Sequence, residues 1–363
     1  MKIAVLGGGN GAFAAAGDFA LAGHETRLWR RDRAAVAAHR EAGGTVGITD
    51  FRGRREAKLA LVTDDIGVAV KGADLILCPA PAFAQAEIAA ALAPHLADGQ
   101  ILFMPPGTFG AVLMAKIVRE HGNRADLAFA ESGTLPWLCR KQGPFEVRVS
   151  ARGKRLPTGV FPLRHAARAL AAIGAAFPGV IEPCGDALSG ALMNAGPIIH
   201  PPLIVMNAAP LEHFDRWDIH QEGTQPSVRR VTDALDAERI ALREALGYGP
   251  PHFPLADHYA KSGAEWMYGR GSHERLTESG DWREHIVLTE HRYMIEDVAI
   301  GLSFLSSVAR LAGIDTPLID GFLAIGSAIC GAHFQKTGRS LANLGLGGLD
   351  RAALRRLLEE GFR

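Results

Sequence analysis

Three side chains in the second half of the chain, His200, Arg292 and Asp297, could together reduce a carbonyl or an imine. A histidine can donate a proton to the group being reduced, and a nearby carboxylate orients the ring and favours its charged form. An arginine fork binds a substrate carboxylate through two parallel hydrogen bonds. These residue types suit hydride transfer, with His200 as the acid, Asp297 as its partner and Arg292 as the anchor.

The segment around the histidine is unusual. His200 is the one polar residue in an apolar run between residues 197 and 207, and prolines stand at positions 197, 201 and 202. Because proline lacks an N–H, we expect the helix to be kinked or broken close to His200. Irregular backbone in a buried segment is costly and is often retained at functional sites. The alternative is a hydrogen-bonded core histidine between two kinks.

The acidic partner is predicted at a helix start. Glu296 and Asp297 open a long apolar stretch that Gly313 closes, which puts both carboxylates in the first turn, where the helix dipole keeps them ionised. Taken singly, Asp297 could merely complement the helix end, and Arg292 could be a surface cation paired with Glu296. The combination with His200 favours the catalytic interpretation.

A second group of residues predicts a dinucleotide site. The stretch 2–33 reads as a strand, a glycine turn, a helix and a second strand, with Gly7, Gly9 and Ala12 in the three small positions of G-x-G-x-x-G/A. These positions allow a tight turn, close approach of the pyrophosphate, and packing of the helix on the strand. Pro79 follows a later strand at the edge that faces ligand in such sheets. The expected cofactor residues are Gly7, Gly9, Asn10, Gly11, Ala12, Arg30, Arg31, Arg33 and Pro79.

The end of the second strand indicates which dinucleotide is bound. NAD-binding turns place an acidic residue there for the ribose 2′-OH, whereas this chain has Arg30, Arg31 and Arg33. Guanidinium groups suit a 2′-phosphate, so NADP(H) is favoured and NAD(H) stays possible. The alternative is a solvated basic turn in which Asp32 caps the next helix.

Composition restricts the class of protein. The chain has 363 residues, enough for two domains, and equal numbers of basic and acidic residues, 39 each, which gives no case for binding nucleic acid or an acidic membrane. No apolar run is long enough to span a bilayer, and the chain begins with a strand rather than a signal peptide. The four cysteines are far apart, which favours reduced thiols and no metal site. We expect a cytoplasmic enzyme that acts on small molecules. Whether it forms a homodimer is left open.

The order of elements predicts an α/β architecture: an N-terminal Rossmann-type, doubly wound parallel sheet followed by an all-α C-terminal domain. We place the boundary between residues 185 and 186, giving domains 1–185 and 186–363, with a cleft between them for the chemistry. Two segments, VRVSARGKR and TGVFPL, are expected to form a closing hairpin. The strand candidates are 59–62, 75–79, 101–104 and 127–131, and the long helices of the second half are 186–211, 227–246, 296–313 and 317–332.

Several stretches resemble the octopine/nopaline (opine) dehydrogenases over nearly the whole chain. They are GGGNGA (7–12), ESGTLPWLCR (131–140), NAGPIIHPP (194–202), EGTQPSV (222–228), HRYMIEDV (291–298) and GRSLANLGL (338–346). The resemblance implies NAD(P)H-dependent reductive condensation of an amino acid α-amine with a 2-oxo acid such as pyruvate, and the reverse oxidation. It also implies a catalytic set of His200, Asp297 and Arg292, with Thr134 and Asn194 joining Arg292 at the substrate.

The resemblance has gaps, and two other functions remain. Ala299 stands where family members often have proline, and the segment 252–286, which we expect to shape the amine pocket, matches nothing. The first alternative is a two-domain dehydrogenase of a hydroxy acid or a sugar phosphate, similar to glycerol-3-phosphate dehydrogenase. The second is a non-catalytic NADPH sensor, which would not need the histidine, aspartate and arginine set.

Overall fold

The computed structural model describes residues 1–362 and divides them into two compact units. The first unit comprises Met1–Ala191 and the end of the chain from Leu357; the second comprises Leu192–Arg356. The expected boundary after residue 185 falls inside the strand Ile181–Asp186, and the last residues return to the first unit.

The first unit contains twelve strands. They are β1 (Lys2–Leu6), β2 (Glu25–Trp29), β3 (Thr45–Asp50), β4 (Gly53–Lys58), β5 (Leu61–Thr63), β6 (Leu75–Leu77), β7 (Ile101–Met104), β8 (Ala128–Ser132), β9 (Trp137–Lys141), β10 (Glu146–Arg152), β11 (Leu156–Phe161) and β12 (Ile181–Asp186).

Seven α-helices accompany these strands in the described part of the first unit, six between strands and one after β12. They are α1 (Asn10–Leu21), α2 (Arg33–Glu41), α3 (Ile66–Val70), α4 (Gln85–Leu92), α5 (Gly110–Glu120), α6 (Ala166–Ala176) and α7 (Ala187–Ala191).

Eight strands form the central sheet in the order β12-β11-β8-β7-β6-β1-β2-β5. All neighbours are parallel except β8 and β11, which run antiparallel. The inner strands β1, β6 and β7 are almost entirely buried, because helices cover both faces of a doubly wound sheet. The predicted Rossmann-type sheet is therefore confirmed, and its strand ends position the glycine turn.

A second, four-stranded sheet has the order β4-β3-β10-β9 and packs on α1. The expected hairpin between VRVSARGKR and TGVFPL is wrong, because β10 lies in this small sheet and β11 lies in the central one. Burial explains the separation. Alternate residues of β10 are buried, as in a strand with one solvated face, whereas every residue of β11 is buried.

The second unit is helical apart from a two-residue ribbon, β13 (Trp217–Asp218) with β14 (Arg283–Glu284). A π-helix, Tyr293–Leu302, runs directly into an α-helix. The α-helices are α8 (Gly196–Met206), α9 (Ala208–His213), α10 (Pro226–Ala245), α11 (Ala256–Tyr259), α12 (Ser272–Glu278), α13 (Ser303–Ala312), α14 (Pro317–Cys330), α15 (Phe334–Thr337) and α16 (Arg351–Glu360), the last of which crosses into the first unit.

Two helices differ from the sequence expectation. The predicted helix over 186–211 is three helices, α7, α8 and α9, and its main break lies at residues 192–195 rather than at His200. The helix α8 continues through Pro201 and Pro202. The predicted helix over 296–313 begins at Tyr293 and is π-helical for its first ten residues. Among the described residues, no helix combines the length and the apolar character needed to cross a membrane.

Candidate active site and cofactor turn

His200 and Asp297 are joined by a hydrogen bond, although 97 residues separate them in the chain. His200 Nδ1 lies 2.7 Å from Asp297 Oδ2, and the two side chains are 15% and 7% exposed. Because the carboxylate engages Nδ1, a proton exchanged with a substrate has to use Nε2. This geometry is what an acid and its orienting anion require.

Small residues let the two elements that carry this pair approach closely. His200 lies on α8 and Asp297 on the π-helix. A side chain at Gly196 would overlap the Asp297 carboxylate, and one at Gly301 would overlap the ring of Pro197. π-Helical segments are rare and often mark functional sites. The glycines and the π-helix together allow the short distance between His200 and Asp297.

Burial makes Asp297 difficult to ionise. It raises the pKa of this carboxyl to about 7, and the positive charge of Arg292 opposes the rise only in part. The sequence suggested an ionised carboxylate in the first turn, but the helix begins at Tyr293, four residues before Asp297, and Asp297 is buried. An ionised Asp297 therefore requires a nearby positive charge, and a protonated His200 would place one 2.7 Å from the carboxylate.

Arg292 stands just before the π-helix, with its side chain 55% exposed. Its Nε lies 3.9 Å from a Glu296 carboxylate oxygen, the pairing that the structural alternative expected. That separation is too long for a good hydrogen bond, and more than half of the Arg292 side chain stays exposed. The contact therefore does not prevent the guanidinium from binding a substrate carboxylate.

Two aromatic residues near His200 were not recognised from sequence. The ring of Tyr293 stacks on the imidazole of His200, with centroids 3.6 Å apart and planes inclined by 10°. The Tyr293 hydroxyl lies 3.1 Å from His220 Nε2. Tyr293 lies inside HRYMIEDV and His220 just before EGTQPSV, so the motifs marked the segments but not these side chains.

Asn194 and Thr134, expected at the substrate, lie in different units. Asn194 is buried and its Oδ1 accepts the backbone N–H of Gly196 at 3.0 Å, which fixes the start of α8. The backbone carbonyl of Thr134 accepts a hydrogen bond from Ser132 Oγ at 3.0 Å. Their contact with substrate stays a prediction.

The segment 252–286, expected to form the amine pocket, contains a buried aromatic cluster within the second unit. The ring of His258 lies 4.6 Å from Trp266 and 5.5 Å from His273, and the Ser272 hydroxyl lies 3.3 Å from its Nδ1. Burial, assisted by the charges of His273 and Arg229, lowers the pKa of His258 to about 3. His258 is therefore neutral at physiological pH.

The glycine turn of the first unit has the local features of a pyrophosphate site. Gly7 has φ = +129°, which only glycine adopts readily, and Ala12 packs beneath it. Gly9 precedes α1 without a side-chain cap, and the space around its missing side chain is open for 4 Å. The start of α1 can therefore accept an anion. Gly11 has a packing role, since a Cβ there would lie 2.8 Å from Leu135.

Residues from later parts of the chain also hold the glycine turn in place. Asn10 Oδ1 accepts the backbone N–H of Lys141 at 2.9 Å, which ties the start of α1 to β9. A Cβ at Gly11 would lie 3.4 Å from Pro79, so Pro79 borders the turn as well.

The three arginines near the turn have different surroundings. Arg30 lies across the turn, with its Nε 2.8 Å from the position of a Gly8 Cβ and its guanidinium 5.5 Å from the Phe13 ring. Arg31 and Arg33 are 74% and 90% exposed and pair with Glu87 and Asp64. Asp32 caps α2 by accepting the N–H of Ala35, as the alternative reading of this turn expected.

Lys141 is a further cation at the turn that sequence reasoning missed. Its Nζ lies 3.5 Å from the carbonyl oxygen of Gly8 and 4.2 Å from the Phe13 ring. Burial lowers its pKa, and the charge of Arg30 lowers it further. Lys141 directly follows the ESGTLPWLCR stretch, but nothing local in the sequence places it beside Gly8.

Comparison with known proteins identifies relatives over the whole chain. A family model described as NAD/NADP octopine/nopaline dehydrogenase, alpha-helical domain, matches residues 183–330. An opine dehydrogenase of Arthrobacter sp. strain 1C is 33% identical over 365 residues, covering 98% of this chain and 98% of its own. A vitopine synthase of Allorhizobium ampelinum is 26% identical and covers 96% of each chain.

The fold is shared with a solved structure of octopine dehydrogenase in complex with NADH and agmatine. The TM-score is 0.72 at 19% identity, covering 100% of this chain and 99% of that chain. The Rossmann-type first unit, the helical second unit and the full-length identity agree with one another. The chain therefore belongs to the octopine/nopaline (opine) dehydrogenase family and is an NAD(P)-dependent oxidoreductase that catalyses the reductive condensation of an amino acid with a 2-oxo acid.

Proposed function

We propose that this enzyme joins the α-amine of an amino acid to a small 2-oxo acid such as pyruvate, with His200 as the general acid, Asp297 as its partner and Arg292 as the carboxylate anchor. The observation that supports these roles most directly is the largely buried hydrogen bond of 2.7 Å between His200 and Asp297. A histidine that merely lay on the surface would not need a partner whose carboxyl group is so costly to ionise in the protein interior.

The residues have distinct tasks in the reaction. Arg292 binds the carboxylate of the 2-oxo acid, and protonated His200 donates from Nε2 to the carbonyl oxygen while the neutral amine nitrogen attacks the carbonyl carbon. His200 Nε2 then takes one proton from the positively charged nitrogen of this adduct and passes it to the hydroxyl group. The C–O bond breaks, the oxygen leaves as water, and a protonated C=N bond remains. Asp297 accepts the Nδ1–H throughout and stabilises the imidazolium. Hydride addition to the imine carbon gives the secondary amine, which bears a carboxylate from each substrate.

The first unit supplies the cofactor side of the reaction. The nicotinamide of NAD(P)H, when bound, supplies the hydride. Gly7 and Gly9 leave room for the pyrophosphate, and the start of α1 offers it unpaired N–H groups. We further propose that NADPH is preferred over NADH, because Arg30, with Lys141 beside it, forms a cationic edge next to Gly8. The surface pairs of Arg31 and Arg33 make them weaker candidates for the 2′-phosphate.

A panel of amino acids tested with pyruvate, using NADPH and NADH in parallel, examines this proposal. We expect NADPH oxidation to require both pyruvate and an amino acid, and the secondary-amine product to appear by mass spectrometry. Oxidation of NADPH by pyruvate alone would instead identify a hydroxy-acid dehydrogenase. Tight NADPH binding without turnover on any pair would identify a sensor. The His200→Ala variant provides the background rate.

A further inference from the structure

Beyond the acid and its partner, a second chain of contacts runs from His200 to Tyr293 and on to His220. We propose that Tyr293 and His220 are positioning residues: the Tyr293 ring sets the plane of the His200 imidazole, and His220 holds the Tyr293 ring. This inference rests on the proposed role of His200 as the acid.

The hydrogen bond to Asp297 cannot orient the imidazole alone. One bond at Nδ1 leaves the ring able to tilt about the line between the two partners, and a tilt would move Nε2. The Tyr293 ring lies nearly parallel to the imidazole, 3.6 Å between centroids and 10° between planes. Contact over a whole ring face restricts this tilt. Small misplacements of a reacting group are expensive in rate.

Tyr293 is itself held at its far end. It is 3% exposed, and its hydroxyl lies 3.1 Å from His220 Nε2. The backbone N–H of His220 is bonded to Asp218 Oδ1 at 3.0 Å, and the His220 ring lies 5.0 Å from the Trp282 ring. A tyrosine hydroxyl that is buried away from water needs a hydrogen-bond partner, and His220 supplies one. The contacts therefore form a continuous support from Asp218 to His200.

Charged and titratable groups surround Tyr293 and His220, and a variant reports on geometry only if it leaves their charges unchanged. Asp297 and Arg292 act from the π-helix side, and Asp218 stands behind His220. His291 lies 4.5 Å from the Tyr293 ring centre to centre and 3.9 Å from a Glu284 oxygen. Replacement of Tyr293 by phenylalanine or leucine changes none of these charges at neutral pH, so its effect reports geometry.

Enzyme kinetics of Tyr293 variants and a matched control tests the proposal. Tyr293→Phe keeps the stacked ring but loses the hydroxyl contact with His220, so kcat should fall only a few-fold. Tyr293→Leu removes the stack and should lower kcat by about 10- to 100-fold, with the KM for NADPH unchanged. In the His200→Ala background, Tyr293→Leu should have almost no further effect, because the two residues act as one unit. Tyr248→Leu, at an aromatic residue packed near Arg243, is the matched control and should leave kcat unchanged. Equal losses in both backgrounds would overturn the proposal.

A second measurement does not depend on activity. NMR of the histidine ring N–H groups should show a slowly exchanging Nδ1–H of His200, assigned by its loss in His200→Ala. Its exchange should be slightly faster in Tyr293→Phe, which loses the contact with His220, and much faster in Tyr293→Leu; equal exchange in the wild type and both variants would refute the positioning role. If Tyr293→Leu does not fold, His220→Asn decides, with faster exchange expected and unchanged exchange contradicting it. An active His200→Ala enzyme with these exchange changes would reject the proposed acid and leave the positioning intact.

Discussion

Asp297 is a carboxyl group that the fold makes hard to ionise, placed against a histidine whose protonated form would favour the carboxylate. Its pKa is raised to about 7 by burial, and His200 Nδ1 lies 2.7 Å away. The ionised carboxylate and the imidazolium therefore stabilise each other, and the loss of either one affects the other. The proposed acid is therefore the pair rather than either residue alone.

The first prediction concerns this pair. Asp297→Asn should bind NADPH and lose roughly two to four orders of magnitude in the rate of imine reduction, the usual contribution of acid–base catalysis. His200→Ala should lose a similar amount, and the double variant little more, because members of one catalytic unit are not additive. Steady-state kinetics of the four proteins measures this.

Asp350→Asn is the charge-matched control, since Asp350 caps α16 through the N–H of Ala353 and asparagine caps equally well. It should keep full activity. Additive losses in the His200 and Asp297 double variant would show that the two residues act separately.

A second prediction at the residue scale separates the arginines of the cofactor turn. Arg30→Ala should raise the KM for NADPH far more than that for NADH, because the loss of one charge-assisted contact to a phosphate costs on the order of 1.5–3 kcal/mol. Arg31→Ala is the matched control, since Arg31 is exposed and paired with Glu87. If the two variants behave alike, or if the ratio of the KM values for NADPH and NADH does not change, Arg30 does not bind the 2′-phosphate.

At the scale of elements, the active-site geometry depends on the contact between α8 and the π-helix. Gly196 and Gly301 occupy the two points where a side chain would overlap the opposite element. Each lies four residues from a side chain of the proposed catalytic pair, Gly196 before His200 and Gly301 after Asp297. Space at these points therefore controls the separation of the acid and its partner.

The third prediction tests this contact. In Gly301→Ala the new methyl meets the rigid ring of Pro197, and overpacking of this kind costs about 1–3 kcal/mol of stability. The displaced α8 should also lower kcat. Gly321→Ala is the matched control, a glycine in α14 with nothing within 4 Å of the added methyl. Urea unfolding and steady-state kinetics of both variants give the comparison, and a Gly301→Ala enzyme as stable and active as Gly321→Ala would contradict it.

At the scale of the whole molecule, the second unit contains a buried histidine that makes stability depend on pH. His258 has a pKa lowered from 6.5 to about 3, so the unfolded state takes up a proton that the native state does not, and stability falls as pH drops below 6.5.

The fourth prediction removes this histidine. Relative to the wild type, His258→Gln should gain stability as pH falls from 6.5 to 4.5, by about 1 kcal/mol per pH unit, because glutamine takes up no proton in the unfolded state. Urea unfolding of both proteins at three pH values measures the slopes. Parallel slopes for the wild type and the variant would show that His258 does not titrate abnormally.

Local sequence determined the elements of the first unit well, because strand patterns, turn glycines and helix caps depend on nearby residues. Gly7, Gly9 and Ala12 predicted the turn, and the strand Ile101–Met104 was predicted to the residue. The separation of β10 from β11 was not predictable, because it depends on which distant strands accept each one. His200 and Asp297 could be proposed from their residue types and the family resemblance, whereas their contact is a property of the fold.

Tertiary structure alone decided the environment of the site. The sequence contains Tyr293, His220 and Lys141, yet only packing places the first two against His200 and the third beside Gly8. The same holds for the raised pKa of Asp297, since desolvation comes from residues brought together by folding. Residue type and local spacing determine which chemistry is possible, and long-range burial determines which groups meet and which of them are charged.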